Sequence, residues 1–117
     1  MFIQTEKTPN PNSLKFLPGK VVSSNESFEI TNKNDSSNDL VRNILSVNGV
    51  SGVFLAKDFI SVNKKENVNW EDIKHIVISF INEFYLTGKE YVIEKDLKNK
   101  KSLKNLAEVE KKNNKNS

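Results

Sequence analysis

Apolar and polar positions divide this chain into several short extended stretches and two helical ones. Residues 2–5 and 14–17 each read as a short strand, and Pro18-Gly19 is a turn signal that ends the second. Residues 21–38 are rich in Ser and Asn and punctuated by Phe28 and Ile30, which predicts a loop pinned by two apolar anchors. From Asn38 or Asp39 to Asn48, a rotation of about 100° per residue gathers Leu40, Val41, Ile44, Leu45 and Val47 on one side, opposite Arg42 and Ser46. Asn38 suits the start of that helix, and Gly49 stands where a left-handed C-terminal cap is expected. Residues 50–55 and 59–63 then read as two strands, with Ala56-Lys57-Asp58 as the hairpin turn.

The strongest helical pattern covers residues 69–87. Asn69 is a candidate cap, and Glu71 and Asp72 favour the positive N-terminal end. Trp70, Ile73, Ile76, Val77, Phe80, Ile81, Phe84 and Tyr85 form a broad apolar face, with Glu71, Asp72, His75, Ser79, Asn82 and Glu83 opposite. The order ββαββα predicts an α+β fold, a two-layer sandwich with both helices packed on one face of a small antiparallel sheet. After residue 94 the composition turns to Lys and Asn, and Leu97, Leu103, Leu106 and Val109 give only a thin apolar stripe. Such helices are marginal in water. The expected organisation is therefore a domain over residues 1–94 and a linker or tail over 95–117, weakly helical or disordered.

Composition narrows the function classes. The 117 residues are 36% hydrophobic and 28% charged, enough for one small core. No apolar run is long enough to span a membrane, and the first residues lack a signal-peptide pattern and the Arg-rich character of a transit peptide. A bacterial-type cytoplasm is the expected compartment. The net charge of +3 is uneven: residues 89–117 carry nine Lys against five acids, leaving nine basic and ten acidic groups, a balance of −1, over residues 1–88. The basicity belongs to the tail, so nucleic-acid binding is not expected of the folded part. With no Cys and one His, the chain lacks disulfides, thiolate metal sites and ligands for an iron–sulfur cluster.

No sequence signature of an enzyme emerges. His75 falls among polar helix positions and reads as a solvated side chain. Pro18-Gly19-Lys20 lacks the upstream glycine and the following Ser or Thr of a phosphate-binding loop. The tail lysines read as a solvated linker, since Tyr91 is the only aromatic residue there that could stack on a base. The segment Thr8-Pro9-Asn10-Pro11-Asn12-Ser13 differs in kind. Its prolines restrict the backbone, and its Asn and Ser side chains supply donors and acceptors. It serves equally well as a recognition surface or as a plain connection between two strands.

The residues Thr8-Pro9-Asn10-Pro11-Asn12-Ser13-Leu14-Lys15-Phe16, followed by Pro18-Gly19, closely resemble the opening of the Nfu-type (NifU-like) iron–sulfur cluster scaffold family, whose hallmark is T-P-N-P-N-[AS]-L-K-F and then P-G. A second block resembles it too: Asn48-Gly49-Val50, Val53-Phe54, Asp58-Phe59-Ile60-Ser61-Val62 and Trp70. The likeness covers roughly residues 1–88. It implies an N-terminal domain that binds no cluster and precedes a C-x-x-C domain holding a [4Fe–4S] cluster. The implied partners are client apoproteins, cluster donors or chaperones, and the chain's own cluster-binding domain. A preformed loop loses little entropy on docking, so Thr8, Asn10, Pro11, Asn12 and Lys15 are the expected contact residues, Lys15 reading equally as a solvent-facing strand residue; no catalytic residue and no membrane contact are expected. This sequence departs from the full pattern in lacking the C-x-x-C domain. Either the chain is a longer protein cut in its linker, or a stand-alone form exists. The hairpin also differs, with Ala56-Lys57 where the family often has Gly-Pro. A structural or dimerising module is the first alternative; a basic-tailed nucleic-acid binder is the second.

Overall fold

The computed structural model describes residues 2–24, 26–87 and 92–95. Five strands form one antiparallel sheet: β1 (Gln4–Lys7), β2 (Ser13–Leu17), β3 (Phe28–Ile30), β4 (Val50–Leu55) and β5 (Ile60–Lys64), in the spatial order β1-β2-β5-β4-β3. Helices α1 (Asp39–Leu45) and α2 (Trp70–Thr87) cover one face, with a single 3-10 turn at Lys33–Asp35 before α1. The α+β class with two helices on one side of the sheet agrees with the alternation read from the sequence.

Alternation sets what each strand buries, because successive side chains leave opposite faces of a sheet. Leu14 and Phe16 of β2, Ile60 and Val62 of β5, and Val53 and Leu55 of β4 point into the core, together with Phe28 and Ile30 of β3. Helix α2 supplies Ile73, Val77, Ile81 and Tyr85, a repeat of four that lays one stripe along the sheet, and α1 adds Leu40, Val41 and Ile44. Full burial of side chains of this size contributes about 1.5–3 kcal/mol each before entropy is counted. Burial pushes the Tyr85 phenol up to about 12, so it stays neutral through the ordinary pH range.

Two features differ from the pattern expected of the sequence. Residues 28–30, expected as anchors in a loop, form an edge strand paired Phe28↔Leu55, Glu29↔Phe54 and Ile30↔Val53. The order is thus βββαββα. One apolar-polar-apolar triplet is too short to announce a strand within a Ser/Asn-rich stretch. Helix α1 starts where expected, with the Asn38 side chain accepting from the Val41 N–H at 3.1 Å, but it stops at Leu45 rather than Asn48. Ser46 caps its end in a right-handed conformation. Gly49 takes φ +101 in the turn into β4 instead of capping the helix. A Cβ at that position would sit 2.8 Å from a Val68 methyl, so the absence of a side chain there serves packing as well as the turn.

Past α2, a further core contact comes from a residue inside the domain expected over 1–94. Ile93 returns to the core, 1% exposed, with its N–H donating to the Val22 carbonyl at 2.7 Å. Val22 is itself fully buried, and its N–H donates to the Lys57 carbonyl at 2.6 Å. The expected Lys/Asn-rich tail over 95–117 lies, past Lys95, outside the described residues.

Candidate functional site

The connection between β1 and β2 is short, and its hydrogen bonds run largely through its own side chains. The Asn10 carboxamide oxygen accepts from the Asn12 N–H at 2.9 Å, and the Asn10 carbonyl accepts from the Ser13 N–H at 3.0 Å. The Thr8 hydroxyl donates to the Asn10 carbonyl at 2.8 Å and accepts from the Asn10 N–H at 3.1 Å. This is the competition of short polar side chains with regular backbone pairing, used to hold a turn. Pro9 and Pro11 fix φ at the two positions where a donor would otherwise need a partner.

Two other elements tie the loop down from outside. At the end of β5 the Lys64 N–H donates to the Asn12 carbonyl at 2.8 Å, and the Lys64 ammonium donates to the Asn12 side-chain oxygen at 3.0 Å. At the start of α2 the Trp70 indole N–H donates to the Pro11 carbonyl at 3.0 Å. The Lys64 ammonium lies 5.7 Å from the centre of the Trp70 ring, within the range of a cation–π contact. Ser13 and Asn63 share a further side-chain hydrogen bond across β2 and β5. The loop is thus held by β5 and α2 while Pro9, Asn10 and Pro11 stay exposed.

Beside this loop runs a cleft of about 350 Å³. Pro9, Pro11, Leu14 and Trp70 supply its apolar lining, Thr8 and Asn10 its polar groups, and Lys7 and Lys74 its charge. The structure therefore brings Thr8, Asn10 and Pro11 of the expected contact residues to one surface. Asn12 is turned toward Lys64 and acts as an anchor. Lys15 stands elsewhere: it pairs with Glu6 and Ser61 in the sheet, and its ammonium lies 4.5 Å from the Phe59 ring centre.

Sequence reasoning missed Trp70, Lys64 and Lys74 as parts of this site. The sequence places Trp70 on the apolar face of α2 and in the second family-like block without linking it to the loop, although a lone indole in the first turn of a helix needs a hydrogen-bond partner. Its spacing of four from Lys74 puts both on one side of the helix. His75 is exposed, and among the described residues no group of three or more His, Asp or Glu could hold a metal ion. No helix among the described residues is long and apolar enough to cross a membrane.

A five-stranded antiparallel sheet with two helices on one face and a tethered proline loop at one end defines a small α+β domain. Residues 3–88 match the family described as scaffold protein Nfu/NifU N terminal, and the chain belongs to that family. It is 41% identical over 90 residues to the mitochondrial NFU1 iron-sulfur cluster scaffold homolog of Drosophila erecta, a match covering 75% of this chain and 32% of that protein. The chain thus spans about a third of the length of the curated relatives it matches first. Its fold is similar to the solution structure of a NifU-like protein from Saccharomyces cerevisiae, with a TM-score of 0.65, 29% identity, and coverage of 79% of this chain and 82% of that one. It is also similar to the crystal structure of a Staphylococcus aureus protein, with a TM-score of 0.58, 31% identity, and coverage of 73% and 99%.

Proposed function

We propose that this chain serves iron–sulfur cluster assembly and transfer as a recognition domain that carries no cluster, and that its contacts are made at the loop over residues 8–13. Family membership supports the iron–sulfur setting. Cysteine chemistry supports the division of labour: the sequence has no Cys, and thiolates are the ordinary ligands of such clusters. The [4Fe–4S] cargo then belongs on a separate C-x-x-C domain. The partners are client apoproteins, donors or chaperones, and that cluster-bearing domain itself. No catalytic step is assigned to any residue. We place the activity in a bacterial-type cytoplasm, a reading supported by the likeness to the Staphylococcus protein, while the Drosophila relative is by name mitochondrial.

The observation that carries this reading is the loop's double tether, to β5 through Lys64 and to α2 through Trp70. A surface already fixed by Asn12, Lys64 and Trp70 loses little conformational entropy on docking, so its contact energy goes into affinity. The exposed Pro9-Asn10-Pro11 ridge is where that affinity would be realised. In a protein joining this chain to a C-x-x-C cluster domain, Asn10→Ala with Asn12→Ala is expected to slow cluster delivery to an apoprotein client roughly tenfold, equivalent to about 1.4 kcal/mol of lost contact. The cluster content of the donor should stay unchanged. Delivery at the unaltered rate removes the loop from the mechanism.

A further inference from the structure

The cleft beside the loop has a composition that selects a ligand. No carboxylate lines it, while Lys7 and Lys74 do, and neither lysine has an ion-pair partner among the described residues. Both are exposed. Lys64 adds a third cation nearby, held in place by Asn12. Between these charges lies an apolar wall of Pro9, Pro11, Leu14 and the half-buried Trp70. Glu71 and Asp72 occupy the first turn of α2 and already answer the positive end of that helix, so the demand for anions comes from the lysines.

We infer that this cleft takes a short acidic segment of a partner protein, seating one apolar side chain against Pro9, Pro11 and Trp70 and setting its flanking carboxylates on Lys7 and Lys74. The inference rests on the reading of the loop as the contact surface and specifies the partner's chemistry. Apolar burial supplies the binding energy. Charge complementarity selects acidic over basic segments and speeds encounter. A volume of about 350 Å³ falls at the lower end of the range for ligand sites and accommodates one large side chain with its neighbours.

Trp70 is the only tryptophan in the chain, so its emission reports on this cleft without labelling. Short tryptophan-free peptides carrying one central Leu or Phe flanked by Asp and Glu should give a saturable change in Trp70 fluorescence. Peptides with Lys in place of the acids should bind at least about tenfold more weakly, and added salt should weaken the acidic ones through screening. The double variant K7E/K74E, checked for folding by circular dichroism, should lose about tenfold in affinity for the acidic peptide and gain for the basic one. The inference is overturned if no peptide gives a saturable change, if acidic and basic peptides bind alike, or if inorganic phosphate competes as well as the peptide. Emission that shifts with protein concentration alone, alongside dimerisation in light scattering, would assign the cleft to a second copy and overturn it as well. A missing peptide response with slowed delivery in the Asn10→Ala, Asn12→Ala protein sinks the acidic ligand and leaves the loop reading intact. Unaltered delivery in that protein sinks the loop reading itself.

Discussion

The two ends of the sheet are built on opposite terms. At one end, the loop over residues 8–13 consumes its own polar groups, through Thr8 and Asn10 within the turn and through Lys64 and Trp70 from outside. At the other, where β1 begins and β2 ends, Phe2 is 81% exposed and Val21 is 47% exposed. They line a wider cleft of about 590 Å³ with Leu17, Lys20, Lys57 and Asp58. Directly behind that surface, Val22 and Ile93 close the core. Polar bonds fix the shape of the loop end, so under the proposed function it would discriminate by shape and charge. The opposite end is held by apolar packing and presents apolar side chains to solvent, which gives area with little direction.

Substitutions separate these two modes by size. Ile93→Ala empties a fully buried site and should cost about 3 kcal/mol, read as a lower urea midpoint at unchanged slope. A loss below about 1 kcal/mol would mean that the returning segment is not part of the core. Gly49→Ala, near the loop end, forces a Cβ into φ +101 and against Val68. Its expected cost is about 2 kcal/mol, measured in the same titration. Asn12→Ala removes the nearer of the two acceptors of the Lys64 ammonium, leaving the Lys65 carbonyl, and should cost about 1 kcal/mol, while Trp70 emission shifts as Lys64 leaves the ring. An unmoved spectrum would show that Asn12 does not hold Lys64 in solution. Phe2→Ser and Val21→Ser should stay within about 0.5 kcal/mol; a larger loss would mean that these side chains pack rather than face solvent.

Much of this arrangement is legible in the sequence, for physical reasons that also mark where legibility stops. Helix α2 announces itself because Ile73, Val77 and Ile81 recur at a helical spacing over many residues, and the β4–β5 hairpin shows as two apolar runs around Ala56-Lys57-Asp58. Strand β3 stays hidden because three residues cannot display a period. Ile93 is hidden for a related reason: an isolated apolar residue after a helix carries no repeat, and its burial depends on Val22, far away along the chain. At the candidate site, the prolines and asparagines of residues 8–13 point to a structured loop without revealing what it rests on. The bond from Trp70 to Pro11 joins residues 59 apart, and no local pattern encodes it. Lys15 stands apart from the loop: strand alternation and its contact with Phe59 place it on the open face of the sheet, in keeping with its reading as a solvent-facing strand residue.

Amide shift mapping tests the central claim most directly, with the isotope-labelled protein titrated by an iron–sulfur client in its apo form. Shifts should concentrate at Lys7, Thr8, Asn10, Asn12 and Ser13, at Lys64 and along the first turns of α2 through Lys74, with the indole N–H of Trp70 among the largest. Perturbations centred instead on Phe2, Leu17, Val21 and Lys57, with the loop and the indole unmoved, would contradict the account by placing recognition at the opposite end of the sheet.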